Sequence, residues 1–293
     1  MKRTTAFFLA LSLCAALTGC GRGSTTPTES AAISHPAQET KPESPQTQLL
    51  PEQVIFDSDG IRITVKGMEE ATMAGTRIRL LVENATQKNI VLSGDLFVVN
   101  GVTMPGYLYA EAAAGTKTND AIELYGDSLE AAGIVEIQTI RGYDIRIVDT
   151  DTYETLTQVP LELETAYNQG PAFVPGETGV ELYNTEGITV IAQVISEEFY
   201  GKTARLLVKN ELERDIIVEA EHISVNGYTV DAWLYDTVCA GTLRYCQLDL
   251  FETGLAENGI EQIETITFTL NLLDAETYET IARSEVLTVE VMG

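Results

Sequence analysis

The chain has 293 residues and sets 18 Lys and Arg against 44 Asp and Glu, a formal net charge of −26 at pH 7. So large an unmixed acidic excess repels phosphate backbones, anionic lipid and anionic wall polymers, and it excludes nucleic acid as a partner. With 44% hydrophobic residues the chain can still fill packed cores, so the acidity belongs to a folded surface and not to a disordered tail.

Residues 1–19 begin with Lys2 and Arg3, continue through an apolar run from Ala6 to Leu17, and lead into Leu17-Thr18-Gly19-Cys20. A basic start, a short apolar segment and small residues before the cut follow the order of a secretory signal. The run is about a dozen residues, too short to cross a hydrocarbon layer of ~30 Å as a helix, and no later segment approaches the needed length. Leu17-Thr18-Gly19-Cys20 resembles the lipobox of bacterial lipoproteins: an aliphatic residue, a small one, Gly or Ala, then Cys. The resemblance implies cleavage before Cys20, diacylglycerol on its thiol, and a lipid anchor on the extracytoplasmic face of the cell membrane. At roughly 0.8 kcal/mol per buried methylene, two or three acyl chains hold where one would exchange. Cys14 lies inside the apolar run and leaves with the signal.

Residues 20–50 form a polar linker rich in Ser, Thr, Gln, Glu and Pro, with five of the nine prolines falling between Pro27 and Pro51. Such a segment cannot bury enough surface to offset its ordering entropy, so it is expected to be disordered and to reach on the order of 30 Å as a coil.

Beyond the linker the chain repeats itself at a spacing of 126 residues. Gly75-Thr76-Arg77-Ile78-Arg79-Leu80-Leu81-Val82-Glu83-Asn84 matches Gly201-Lys202-Thr203-Ala204-Arg205-Leu206-Leu207-Val208-Lys209-Asn210. Val99-Asn100-Gly101 meets Val225-Asn226-Gly227, Leu108-Tyr109 meets Leu234-Tyr235, and Gly133-Ile134 meets Gly259-Ile260. A repeat of that length is a whole domain. Within each copy the apolar period is two: Ile61, Ile63 and Val65 alternate with Arg62, Thr64 and Lys66, and Ile78, Leu80 and Val82 with Arg77, Arg79 and Glu83. That pattern predicts strands with one buried and one wet face. Asn100-Gly101 and Asn226-Gly227 predict tight hairpins, and short helical segments are expected at 127–132 and 252–258. Roughly seven or eight strands per copy, with turns every ten residues or so, predict an all-β protein of two tandem β-sandwich domains arising from an internal duplication. The domains span 51–165 and 179–293, joined by an inter-domain linker at 166–178 that contains Gly170, Pro171, Pro175 and Gly176 and limits relative motion without abolishing it.

With its lipobox, polar linker and strand patterning, the chain resembles a loose family of bacterial surface lipoproteins with tandem immunoglobulin-like β-sandwich domains. The resemblance implies a fold and a location and assigns no functional residue.

Four sets of residues are candidates for chemistry. Cys239 and Cys246 are a candidate disulfide, although a tight turn at Ala240-Gly241 leaves Cys246 ~13 Å from the residue opposite Cys239 at ~3.3 Å per residue. A bridge needs Cα atoms within ~7 Å, which a wider loop provides. Asp57-Ser58-Asp59-Gly60, Asp149-Thr150-Asp151 with Glu154, and Asp274 with Glu276 and Glu279 offer oxygens to calcium, yet lack the spacing of a calcium loop and read first as β-turns. Tyr107, Tyr109, Trp233 and Tyr235 fall at matching positions on one strand face. Core packing is the expectation for them; exposed, they are a candidate ligand contact that stacks on sugar rings. His35 and His222 are too few for a relay or a metal site, and no nucleophile–base pair, phosphate loop or paired-histidine motif is present.

These features point to a non-enzymatic binding or accessory module of the cell envelope, held at the membrane by its N-terminal lipid and facing an envelope or extracellular protein or glycan. No cofactor and no metal is expected. The alternatives are a hydrolase acting on wall or other extracellular material through an acidic inter-domain site, and capture of a divalent cation or solute.

Overall fold

In the computed structural model the residues described are 49–69, 72–198 and 201–291; Cys20, the signal, His35 and nearly all of the polar linker lie outside them. The first half holds β1 (Gln53–Ser58), β2 (Ile61–Met68), β3 (Gly75–Asn84), β4 (Ile90–Val99), β5 (Val102–Ala112), β6 (Lys117–Tyr125), α1 (Gly126–Ala132), β7 (Thr139–Tyr143), β8 (Arg146–Asp149), β9 (Thr155–Gln158) and β10 (Glu162–Glu164). A 3₁₀ turn over Ala166–Gln169 leads to the second half. There follow β11 (Val180–Thr185), β12 (Ile188–Glu198), β13 (Gly201–Asn210), β14 (Ile216–Val225), β15 (Tyr228–Thr229), β16 (Ala232–Trp233), β17 (Tyr235–Val238), β18 (Thr242–Phe251), α2 (Glu252–Glu257), β19 (Thr265–Asp274), β20 (Thr280–Arg283) and β21 (Leu287–Glu290).

The protein is all-β and sandwich-like, with two sheets. One runs β1-β2-β3-β6-β5-β18-β13-β12-β11 through both halves and carries β4 on β5; the other, confined to the second half, runs β15-β14-β19-β20 with β17 and β21 attached. Ile61, Ile63, Val65, Ile78, Leu80 and Val82 are buried as the alternation requires, while Arg62, Arg77 and Arg79 stay exposed. Asn100-Gly101 and Asn226-Gly227 both take positive φ at each residue, 51° and 82° in the first pair and 50° and 83° in the second, and close hairpins whose twist matches that of their strands. The two helices stand one at the end of β6 and one at the end of β18, where the chain passes to the opposite layer.

Two hydrophobic cores result. The first is built around Ile63, Ile78, Leu80, Phe97, Ile122, Leu124 and Ile147, the second around Val190, Leu206, Val208, Val218, Leu248, Phe268 and Leu272. Leu50, assigned by composition to the polar linker, is 0% exposed and belongs to the first core, so the folded body begins before residue 51. Its neighbour Leu49 accepts a backbone hydrogen bond from Ala166.

Both halves depend on matching buried amides. Asn84 Nδ2 donates to the carbonyls of Lys88, Ala112 and Ala113, and Asn210 Nδ2 donates to those of Arg214, Val238 and Cys239. Asn100 Oδ1 accepts from the amides of Gln138 and Thr139, and Asn226 Oδ1 from those of Glu264 and Thr265, which pins the strand after each helix to the hairpin. Gly75 and Gly201 open β3 and β13 with φ of 117° and 152°, and a Cβ at either would stand 2.0 Å from the Leu124 carbonyl oxygen or 2.1 Å from that of Leu250. Only glycine fits there.

The halves meet at β5 and β18, which pair in parallel at Val102 and Leu243. The Leu243 amide donates to the Gly101 carbonyl at 3.1 Å, Thr103 and Thr242 share a hydroxyl hydrogen bond at 2.7 Å, and the Cys239 amide donates to Thr103 Oγ1. Leu96, Val98 and Cys239 form a third apolar cluster with Tyr143, whose hydroxyl is pushed up to about 12 by burial and by nearby Asp215.

The segment expected to limit domain motion is fastened to both halves. Gln138 Nε2 donates to the Pro171 carbonyl, its Oε1 accepts from the Phe173 amide, and Phe173 packs on the first core. Further along, Gln193 Nε2 donates to the carbonyls of Gly176 and Thr178, and the Tyr245 hydroxyl donates to that of Gly176.

Replacing Asn84 or Asn210 by Ala removes a donor shared by three carbonyls, of which those of Ala113 and Cys239 keep bonds from Thr116 and Thr242, so each variant should lose about 1–3 kcal/mol, the cost of one buried acceptor left unpaired. Urea unfolding measures this; a loss under about 0.5 kcal/mol for either would show that the amide networks carry little of the fold.

Candidate functional site

β5 is shared between three neighbours, and the sharing leaves a cleft. It pairs with β6 at Gly106 and Tyr107 and with β18 at Val102; between these contacts, Thr103, Met104 and Pro105 form the floor of a solvent-open cleft of about 880 Å³. One wall comes from the first half, with Tyr125 and the α1 side chains Asp127, Ser128 and Glu130. The facing wall comes from the second half, with Trp233, Tyr235, Asp236, Arg244, Tyr245, Gln247 and Asp249, and Arg205 beside them. A volume of this size is in the range of ligand pockets, roughly 300–1,000 Å³.

The aromatic residues are where the structure departs most from expectation. Core packing was expected for all four, yet Tyr107 is 49%, Tyr109 46%, Trp233 58% and Tyr235 38% exposed. Strand parity explains the reversal. Leu108 and Ala110 turn into the first core and Leu234 into the second, so their neighbours must face out. Tyr107 and Tyr109 lie side by side with ring centroids 6.5 Å apart, and Trp233 and Tyr235 with centroids 5.9 Å apart. Only the second pair lines the cleft.

Charges of both signs surround that pair. Arg244 is held by Asp236 and donates from Nη1 to the Thr237 carbonyl at 2.9 Å. Asp249 lies opposite Trp233 in the β16–β18 ladder and accepts the Thr203 hydroxyl at 2.7 Å. Asp127, Glu130 and Arg205 line the same cleft and make no ion pair among the described residues. Burial pushes the Tyr245 hydroxyl above its ordinary range. Strand alternation singles out Trp233 and Tyr235; Tyr125, Asp127, Glu130, Arg205 and Asp249 carry no such local signal, because only the junction of the halves brings them together.

The candidate disulfide is not formed. Cys239 and Cys246 are both free and buried: Cys246 points into the second core, and Cys239, beyond the end of β17, into the cluster between the halves. Burial pushes both thiols up, Cys246 well up. The acidic loops are turns. Asp149 Oδ1 accepts from the amides of Asp151 and Thr152, and Asp274 Oδ1 from those of Glu276 and Thr277, with Tyr153 and Tyr278 completing the loops at φ of 61° and 60°. Among the described residues no group of three metal-ligating side chains converges. His222 is exposed at an irregularity in β14, with Nδ1 3.2 Å from the Thr269 hydroxyl.

No known family matches the sequence, and no curated protein matches it. Among solved structures the chain is similar to the conserved domain protein from Bacillus anthracis, at 10% identity over 84% of this chain and 91% of that one, with a TM-score of 0.29. A likeness at that score carries no argument about fold or function.

Intact-mass labelling without reductant should find Cys239 and Cys246 as thiols that react only after unfolding; rapid native labelling, or a mass two protons short, would contradict the burial. Asp149 is held below the ordinary carboxylate range first by the Lys88 ammonium, 2.8 Å away, and then by the Asp151 amide. A depressed folded-state value stabilises above the unfolded value of 3.8 and is lost as pH falls through the folded one. Asp149→Asn should therefore melt below the parent at neutral pH, with the gap closing as pH drops under 3.8; a gap that stays constant into strong acid would contradict this.

Proposed function

We propose that this protein is a lipid-anchored extracytoplasmic binding protein. Its two immunoglobulin-like halves arose by duplication and together form a ligand cleft. The observation that carries the reading is the exposed Trp233–Tyr235 pair set in a polar cleft to which both halves contribute. Aromatic side chains are favoured where a partner docks, and this pair is exposed inside a cleft. The paired networks at Asn84 and Asn210, Asn100 and Asn226, and Gly75 and Gly201 support the duplication. The Cys20 lipid and the polar linker supply the tether and the stand-off, and the acidic surface keeps the body away from anionic headgroups.

A hydrolase is the second reading, favoured by the carboxylates Asp127, Glu130 and Asp249 lining one cleft. Paired carboxylates are what glycosidic hydrolysis uses. Release of reducing ends from oligosaccharides, lost in Asp249→Asn, decides for that reading.

Anchoring is tested by detergent phase partition. The parent should enter the detergent phase and Cys20→Ser the aqueous phase; a Cys20→Ser variant that is still processed and partitions with detergent contradicts the anchor. Binding is tested with Trp233, the single tryptophan of the chain. An envelope extract freed of the protein should shield Trp233 from acrylamide quenching, and unchanged quenching contradicts occupancy of the cleft.

A further inference from the structure

We infer that the ligand of this cleft is an uncharged oligosaccharide chain, an inference that rests on the cleft being the binding site. Three features of the cleft bear on its chemistry. The first is the aromatic platform. Trp233 and Tyr235 present adjoining, tilted rings to solvent from β16 and β17, while Leu234 between them is anchored in the second core. The C–H face of a pyranose is apolar and lies flat on such a surface, whereas its rim carries the hydroxyls.

The second is the balance of charge. Asp127, Glu130 and Asp249 stand in the same cleft as Arg205, and the Arg244–Asp236 pair is internally satisfied. A cationic chain would be drawn by the carboxylates but would have to desolvate against Arg205; an anionic chain would meet Arg205 but face three carboxylates and a protein whose full chain carries a net charge of −26. A hydroxyl avoids both conflicts, because it donates to a carboxylate and accepts from a guanidinium. Carboxylates and a guanidinium without ion-pair partners in one cleft therefore suit a ligand that carries donor and acceptor on the same atom.

The third is shape. The cleft is open to solvent and its floor, Thr103 to Pro105, is a strand edge between two ladder contacts. Pro105 has no N–H to offer, so an extended peptide cannot add there as a regular strand.

The test uses full-length protein in detergent and Trp233 emission, with calorimetry for affinity. The probes are soluble neutral oligomers of N-acetylglucosamine, glucose and mannose, and Lys-rich and Glu-rich peptides of similar length. At least one neutral oligosaccharide should shift Trp233 emission saturably. In calorimetry, Tyr235→Ala and Arg205→Ala should each weaken its binding about tenfold or more while leaving the melting temperature near that of the parent. A response to a charged peptide alone overturns the sugar assignment and leaves the cleft as the binding site. No response to any probe overturns the assignment and the cleft together. Sugar binding unaffected by Tyr235→Ala and Arg205→Ala places the sugar elsewhere and also overturns the inference.

Discussion

The contact between β5 and β18 joins two halves that each have their own core, and it sets where the cleft lies. It is small: one parallel ladder step at Val102 and Leu243, a hydroxyl pair between Thr103 and Thr242, and the Cys239 amide on Thr103. An isolated contact of that size would be weak, since each hydrogen bond nets only about 1 kcal/mol. It is reinforced by the apolar cluster of Leu96, Val98, Cys239 and Tyr143 behind it and by the Pro171–Thr178 segment crossing in front. Leu207 shows the consequence. It stands on the face of β13 turned away from the second core, where its counterpart Leu81 is only half-buried, and yet it is fully buried. The cleft lies beside this junction, along the stretch of β5 between its pairings with β18 and β6.

The two halves use equivalent elements differently. In the first, β5 is continuous from Val102 to Ala112; in the second, its counterpart is divided into β15, β16 and β17. The continuous strand presents Tyr107 and Tyr109 outside the cleft, and the divided one presents Trp233 and Tyr235 inside it. Cys239 stands where the first half has Ala113 and fills part of the space between the halves. Its size and burial account for it without any disulfide.

Much of the fold was legible because its signals are local. Alternation at Ile61–Val65 and Ile78–Val82, the Asn-Gly turns at Asn100 and Asn226, and the short helices before Gly133 and Gly259 are each properties of a few consecutive residues. Which face of a strand turns inward is not local when both faces carry large side chains. In Tyr107-Leu108-Tyr109-Ala110 either set could pack, and the register with β4 decides for Leu108 and Ala110. The cleft was illegible for a stronger reason. Asp127 and Arg205 lie far apart in the chain, and nothing in either segment announces the other. The fastening of the linker is not local either: Pro and Gly suggest freedom, and the groups that hold its carbonyls, on Gln138, Gln193 and Tyr245, lie outside the segment.

The two halves form one body with a standing cleft between them. Residual dipolar couplings from backbone amides of both halves test it most directly. A single alignment tensor should fit residues 53–163 and 180–290 together, in orientation and in magnitude. Two tensors of different magnitude would mean that the halves reorient independently, that the β5–β18 contact does not hold, and that the cleft is not a fixed site.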